Sequence, residues 1–101
     1  MRLKLARLDV RVAMGQHDHS RVGFIIPKHG RAAVRRNRLK RLLRERARLE
    51  LLPALNASDV TVAIDVVIRA RPEAYEASSE EIRTEFAALL ARIFRLRANG
   101  K

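Results

Sequence analysis

Apolar and polar residues alternate from Arg7 to Val12. Leu8, Val10 and Val12 fall on one face, and Arg7, Asp9 and Arg11 on the other. A period of two predicts a half-buried strand, which Leu3 and Leu5 extend toward the N-terminus. Gly15 to Ser20, GQHDHS, is turn chemistry. The alternation resumes in RVGFIIPK, with Val22, Phe24 and Ile26 together, and stops at Pro27, which has no N–H for a ladder. Two strands joined by a short turn predict an antiparallel hairpin.

The period then changes. Placed on a helix at about 100° per residue, Val34 to Leu49 puts Leu39, Leu42, Leu43 and Leu49 on one side, with Ala47 at the margin. Asn37, Lys40, Arg41, Arg44 and Arg48 fall on the other side. Pro53 closes this region. Asp59 to Ala70 is rich in β-branched residues and reads as a long strand, with Val60, Val62, Ile64, Val66 and Ile68 sharing a face. The other face holds Ala63 and Val67 but also Asp65 and Arg69, so the strand is mostly covered. A helical connection makes this strand a parallel neighbour of the one before it. RPEAYEAS is a loop. A closing helix follows, with Ser78 as N-cap, Glu81 completing a capping box, and Ile82, Phe86, Leu89, Ile93 and Leu96 as its buried stripe. The order strand, strand, helix, strand, helix is that of a small α+β domain, and 101 residues suffice for one domain and not two.

Charge changes this picture most. The net charge is +11, and Lys28 to Arg48 alone carries ten Lys or Arg against one Glu, Glu45. Like charges four apart on a helix, such as Lys40–Arg44 and Arg44–Arg48, destabilise it. A face kept this positive calls for a polyanion, nucleic acid before an anionic membrane. The membrane is disfavoured because the domain needs the apolar side as core. This pattern does not separate RNA from DNA. Without cysteine there is neither a disulfide framework nor a thiolate metal site, which fits a reducing cytoplasm. No apolar run reaches the length of a membrane span.

Other chemistry is sparse. His17 and His19 form an H-x-H pair without an evident third ligand, so loop surface is the simpler reading. No metal site, catalytic triad or acid–base pair stands out. Phe24 reads as core, with base stacking as the alternative.

PKHGRAAVRRNRLKRLLRERAR, Pro27 to Arg48, resembles the signature of the bacterial ribonuclease P protein component. The matching residues are Lys28 and Gly30, then Ala33 to Arg38, Lys40-Arg41 and Leu43-Arg44-Glu45. DVVIRARPEA, Asp65 to Ala74, resembles the family's next strand and turn, and the likeness runs roughly from Leu8 to Leu96. The resemblance implies an α-β sandwich, a mixed sheet with a left-handed β-α-β crossover around the basic helix. It implies a catalytic RNA that cleaves precursor tRNA to free the mature 5′ end, using Mg²⁺ held mainly by RNA. The protein is then an accessory subunit with no catalytic residue of its own. Its partners are that RNA and precursor tRNA, with no membrane and no small-molecule substrate, in the cytoplasm. By the same resemblance Arg36, Asn37, Arg38, Lys40, Arg41 and Arg44 contact the catalytic RNA, with Arg35 and Arg48 beside them. Lys28, Gly30 and Arg31 form the preceding RNA-facing turn. Sheet residues such as Phe24 and Arg11 are candidates for the cleft that takes the precursor's single-stranded 5′ leader.

Two departures stand out. The family's Ser-Lys-Lys before the helix is Pro27-Lys28-His29 here. The family opens with an aromatic-bearing helix, whereas this sequence starts almost at once on a strand, so a single domain over 1–101 without that helix is expected. The alternative function is a general RNA-binding or ribosome-associated protein with no role in cleavage.

Overall fold

The computed structural model describes residues 1–15, 18–57 and 62–99, with the side chains of 96–99 left undescribed. Three strands come first: β1 (Arg2–Lys4), β2 (Leu8–Met14) and β3 (Arg21–Ile25). Helix α1 (Ala33–Arg46) runs through a wide π turn (Ala47–Leu51) into the short α2 (Leu52–Leu55). Then follow β4 (Ile64–Ala70), a 3-10 turn (Pro72–Glu76) and the long helix α3 (Ser79–Asn99). The sheet order is β1-β2-β4-β3, mixed, with β4 antiparallel to β2 and parallel to β3.

This order corrects the expected hairpin. β2 and β3 do not pair, because β4 lies between them. β4 buries Ile64, Val66, Ile68 and Ala70, and it gains most by being bonded on both edges. The connection from β2 to β3 serves β4 instead of closing a turn. Gly15 N–H donates to Ala63 O at 3.0 Å, Ile64 N–H donates to Ser20 Oγ at 2.9 Å, and Ser20 N–H donates to Asn56 Oδ1 at 2.7 Å. A Cβ at Gly15 would meet the Ala63 backbone at 3.1 Å, so a side chain there would push the two segments apart by a few tenths of an ångström. The parallel β3–α1–β4 crossover expected around the basic helix is present.

Leu3 and Leu5 do not extend β2. The chain turns, with Leu5 N–H on Leu8 O at 2.8 Å, and β1 folds back antiparallel with Leu3 opposite Val10. β4 is shorter than expected: Val62 lies before it and is exposed, and Asp59 and Val60 lie outside the described residues. Only one face of β4 is covered, since Val67 and Arg69 are exposed.

Every buried strand residue faces the helices, giving a two-layer α-β sandwich. Leu8, Val10, Val12, Val66 and Ile68 meet Leu39, Leu43, Ile82, Phe86 and Leu89 in one core. On the basic helix the buried positions are Leu39, Leu43, Ala47, Leu51 and Leu55, each four apart. In a regular α-helix, four residues overshoot one turn by about 40°, so such a stripe drifts around the surface. The wide turn at Ala47–Leu51 takes up that drift and keeps the stripe on the core. This corrects two expectations. Ala47 is fully in the core, and Leu49 is exposed because the projection fails at the wide turn. Leu42 is half-buried against the core. Pro53 does not end the helical region. It sits in the first turn of α2, where a missing N–H is tolerated, and the helix continues to Leu55.

RPEAYEAS is more ordered than a loop, since Pro72–Glu76 makes the 3-10 turn. The capping box at α3 is formed. Ser78 N–H donates to Glu81 Oε1 at 2.8 Å and Glu81 N–H to Ser78 Oγ at 3.1 Å, a cap worth about 1 kcal/mol. Ile82, Phe86, Leu89 and Ile93 are buried as the stripe requires, and Leu96 lies outside the described side chains. Arg7 ties the β1–β2 turn to this helix through Glu81 at 2.9 Å and the buried Glu85 at 3.2 Å.

Candidate nucleic-acid interface

The turn before α1 sets the helix start. Arg31 N–H closes on Lys28 O at 2.8 Å, and both central residues, His29 and Gly30, have positive φ, 49° and 78°. Glycine takes that conformation freely, whereas histidine is strained there by about 1–2 kcal/mol. His29 is held by Nε2 against Ala70 O at 3.1 Å and by a T-shaped contact with the Tyr75 ring. Tyr75 in turn donates its hydroxyl to Pro27 O at 2.6 Å. The connection between β4 and α3 therefore clamps the turn that leads into the basic helix.

On α1 the cations divide by what they already touch. Arg46 is turned toward α3, donating to Ser79 Oγ at 3.0 Å and pairing with Glu50 at 2.7 Å, so it is a structural cation. Arg36 Nε donates to Ile26 O at 2.6 Å, which ties the helix to the end of β3. Arg31 and Arg35 share Glu76, at 3.5 and 2.7 Å. Arg48 pairs with Glu45 at 2.7 Å, and that hydrogen bond holds the Glu45 carboxyl below the usual carboxylate range. Among the described residues, Lys28, Arg38, Lys40, Arg41 and Arg44 form no ion pair.

Asn37, Lys40, Arg41, Arg44, Glu45 and Arg48 line one shallow groove along the helix. Lys40 and Arg44 also line a second recess between the helix and β3, with Val22, Gly23 and Phe24. The first turn of α1 has no acidic residue and no side-chain cap, so helix dipole and side chains are positive together at that end. These cations repel one another and are open to solvent, which is the arrangement a chain of phosphates neutralises.

The two leader candidates lie on opposite faces of the sheet. Phe24 is in register with Ile68 on the helix-covered face, half-buried against the core. Arg11 is in register with Val67 on the open face. There Arg2 stands directly opposite Arg11, a destabilising like-charge pair, and Lys4, Asp9 and Arg69 form the next row. These residues with Ile25 and Val67 line a broad concavity. Arg2, Lys4 and Arg69 carry no assignment from the sequence. The signal that finds them is strand register, which depends on where β4 inserts. His19 is exposed beside Asp18, and His17 lies outside the described residues.

The family described as Ribonuclease P matches residues 2–94 of this sequence. The chain belongs to the ribonuclease P protein family. The ribonuclease P protein component of Pseudomonas entomophila is 37% identical over 81 residues, covering 79% of this chain and 56% of that one. The chain thus spans little more than half the length of such relatives. Solved structures agree in fold. The RNase P protein from Thermotoga maritima has a TM-score of 0.74 at 25% identity, over 91% of this chain and 84% of that one. The Staphylococcus aureus RNase P protein has a TM-score of 0.73 at 23% identity, over 92% of this chain and 80% of that one, a likeness of fold alone. Of the Arg36-Asn37-Arg38 segment that carries the sequence resemblance, Asn37 lines the groove on α1, and the rest of its lining, Lys40 to Arg48, follows directly after that segment.

Proposed function

We propose that this chain is the protein subunit of ribonuclease P, binding the catalytic RNA through α1 and promoting removal of the 5′ leader from precursor tRNA in the cytoplasm. The observation that carries this reading is the set of unpaired cations Arg38, Lys40, Arg41 and Arg44 along a helix whose opposite side is core. Lys28 extends that set toward the turn. Arg36 positions the helix on β3, and Asn37 supplies a neutral donor and acceptor at the groove. The leader lies across the open sheet face, where Arg2, Lys4, Arg11 and Arg69 offer cations beside the apolar Ile25 and Val67. Phe24, on the covered face, is a wall of the α1–β3 recess and not a part of that platform.

The described residues offer no grouped donor set for a resident Mg²⁺. Among the described residues no three His, Asp or Glu are grouped for a metal, and Glu45, the groove carboxylate, is already held by Arg48. In this reading Mg²⁺ belongs to the RNA phosphates. The protein's part is to screen repulsion between two polyanions and to raise the rate of their encounter.

Binding selectivity tests the reading against a general RNA-binding role. The catalytic RNA is expected to bind about tenfold or more tightly than unrelated structured RNA of equal length, a difference of at least ~1.4 kcal/mol. Equal affinities in a filter-binding titration favour the general role.

A further inference from the structure

Arg31 and Arg35, at the entry to α1, aim a nitrogen each at one carboxylate oxygen. Glu76 Oε2 lies 2.7 Å from Arg35 Nη2 and 3.5 Å from Arg31 Nη2. Glu76 reaches them from a different element, the 3-10 turn, and its side chain is 66% exposed. The turn does not depend on this contact. Ala74 is buried, Tyr75 is bonded to Pro27 O, and Ala77 N–H closes on Ala74 O at 3.2 Å. Arg31 does not depend on it either. Its Nη1 donates to His29 O at 3.1 Å and its guanidinium lies over the Tyr75 ring at 5.3 Å. Removing the carboxylate leaves Arg31 in place, facing an emptied anion position.

An oxygen that collects donors from two guanidinium groups has the contacts of a phosphate oxygen. We infer that Arg31 and Arg35 form a phosphate site in which Glu76 stands where an RNA backbone phosphate sits in the complex, so that Glu76 is a built-in competitor of RNA. This rests on the RNA-binding reading above. Arg35, by hydrogen bond and charge, holds the Glu76 carboxyl below the usual carboxylate range, so at neutral pH the competitor is ionised. It leaves by exchange for another anion and not by taking up a proton. An exposed ion pair is weak, and a phosphate delivered by contacts at the neighbouring Lys28 and Arg38 displaces it. RNAs that cannot make those contacts face a closed site, so Glu76 lowers affinity for polyanions in general.

The test compares E76Q with E80Q, which makes the same charge change on α3, and with R35A and R35A/E76Q. Binding to the catalytic RNA and to an unrelated structured RNA is measured at several salt concentrations. E76Q is expected to bind both RNAs about two- to fivefold more tightly than E80Q does. Its log–log salt dependence should steepen by up to about one unit, and the gain should vanish in the R35A background. A gain no larger than that of E80Q, or one that survives R35A, overturns the inference. Should the wild-type protein bind the two RNAs equally, the catalytic-RNA reading fails by itself, and an Arg35-dependent gain on both still supports the phosphate site.

Discussion

Replacing Arg38, Arg41 and Arg44 together with Ala will flatten the salt dependence of RNA binding by about two to three log–log units. Each phosphate contact releases about 0.7–0.9 counterions, so three lost contacts amount to about a hundredfold in affinity at ~0.1 M salt, extrapolated from 1 M. These three residues are the cleanest probes on the helix. All are exposed, and none is engaged in an ion pair among the described residues. Their removal also relieves like-charge neighbours at i,i+3, so thermal stability should hold or rise. Arg36 is a poorer probe, because its bond to Ile26 O couples binding to the position of the helix. Filter binding at four or more salt concentrations, with a thermal melt beside it, reads both quantities. An unchanged slope contradicts the assignment of this face.

Leu43→Ala should do the reverse. Leu43 is 0% exposed and sits where α1 meets the sheet and α3. Truncating it removes transfer free energy and leaves a cavity, at a cost of about 2–5 kcal/mol. That is a large part of the roughly 5–15 kcal/mol that holds a domain of this size. Urea denaturation measures the loss, and the salt slope of the folded fraction should match the wild type. Stability within ~1 kcal/mol of the wild type would mean that this side of the helix is not core. Leu42, half-buried at the edge, is expected to give a smaller loss.

The elements were legible where one physical rule decided them. Period two marks β2 and β3, the capping box Ser78–Glu81 marks the start of α3, and the cations at i,i+3 and i,i+4 mark the face of α1. What failed was partnership. Leu8–Met14 and Arg21–Ile25 each show which face is buried, but alternation does not say which strand lies alongside. The insertion of β4 is settled by burial on both edges, a property of the assembled sheet. Ala47 and Leu49 exchanged roles because a uniform 100° projection cannot anticipate a wide turn. The candidate site was legible as a set of cations but not as a division among them. Glu76 is 41 residues from Arg35 and Ile26 is 10 from Arg36, and neither contact leaves a local pattern. Arg2, Lys4 and Arg69 join Arg11 only through register.

In the proposed function, the cationic side of α1 makes this chain the working partner of a catalytic RNA. Cleavage of precursor tRNA by that RNA at low Mg²⁺, with and without the purified protein, tests it most directly. The wild-type chain is expected to raise the yield of mature 5′ ends over RNA alone, and the Arg38, Arg41, Arg44 triple-alanine variant to do so only at much higher concentration. No gain over RNA alone with the folded wild-type chain would contradict it.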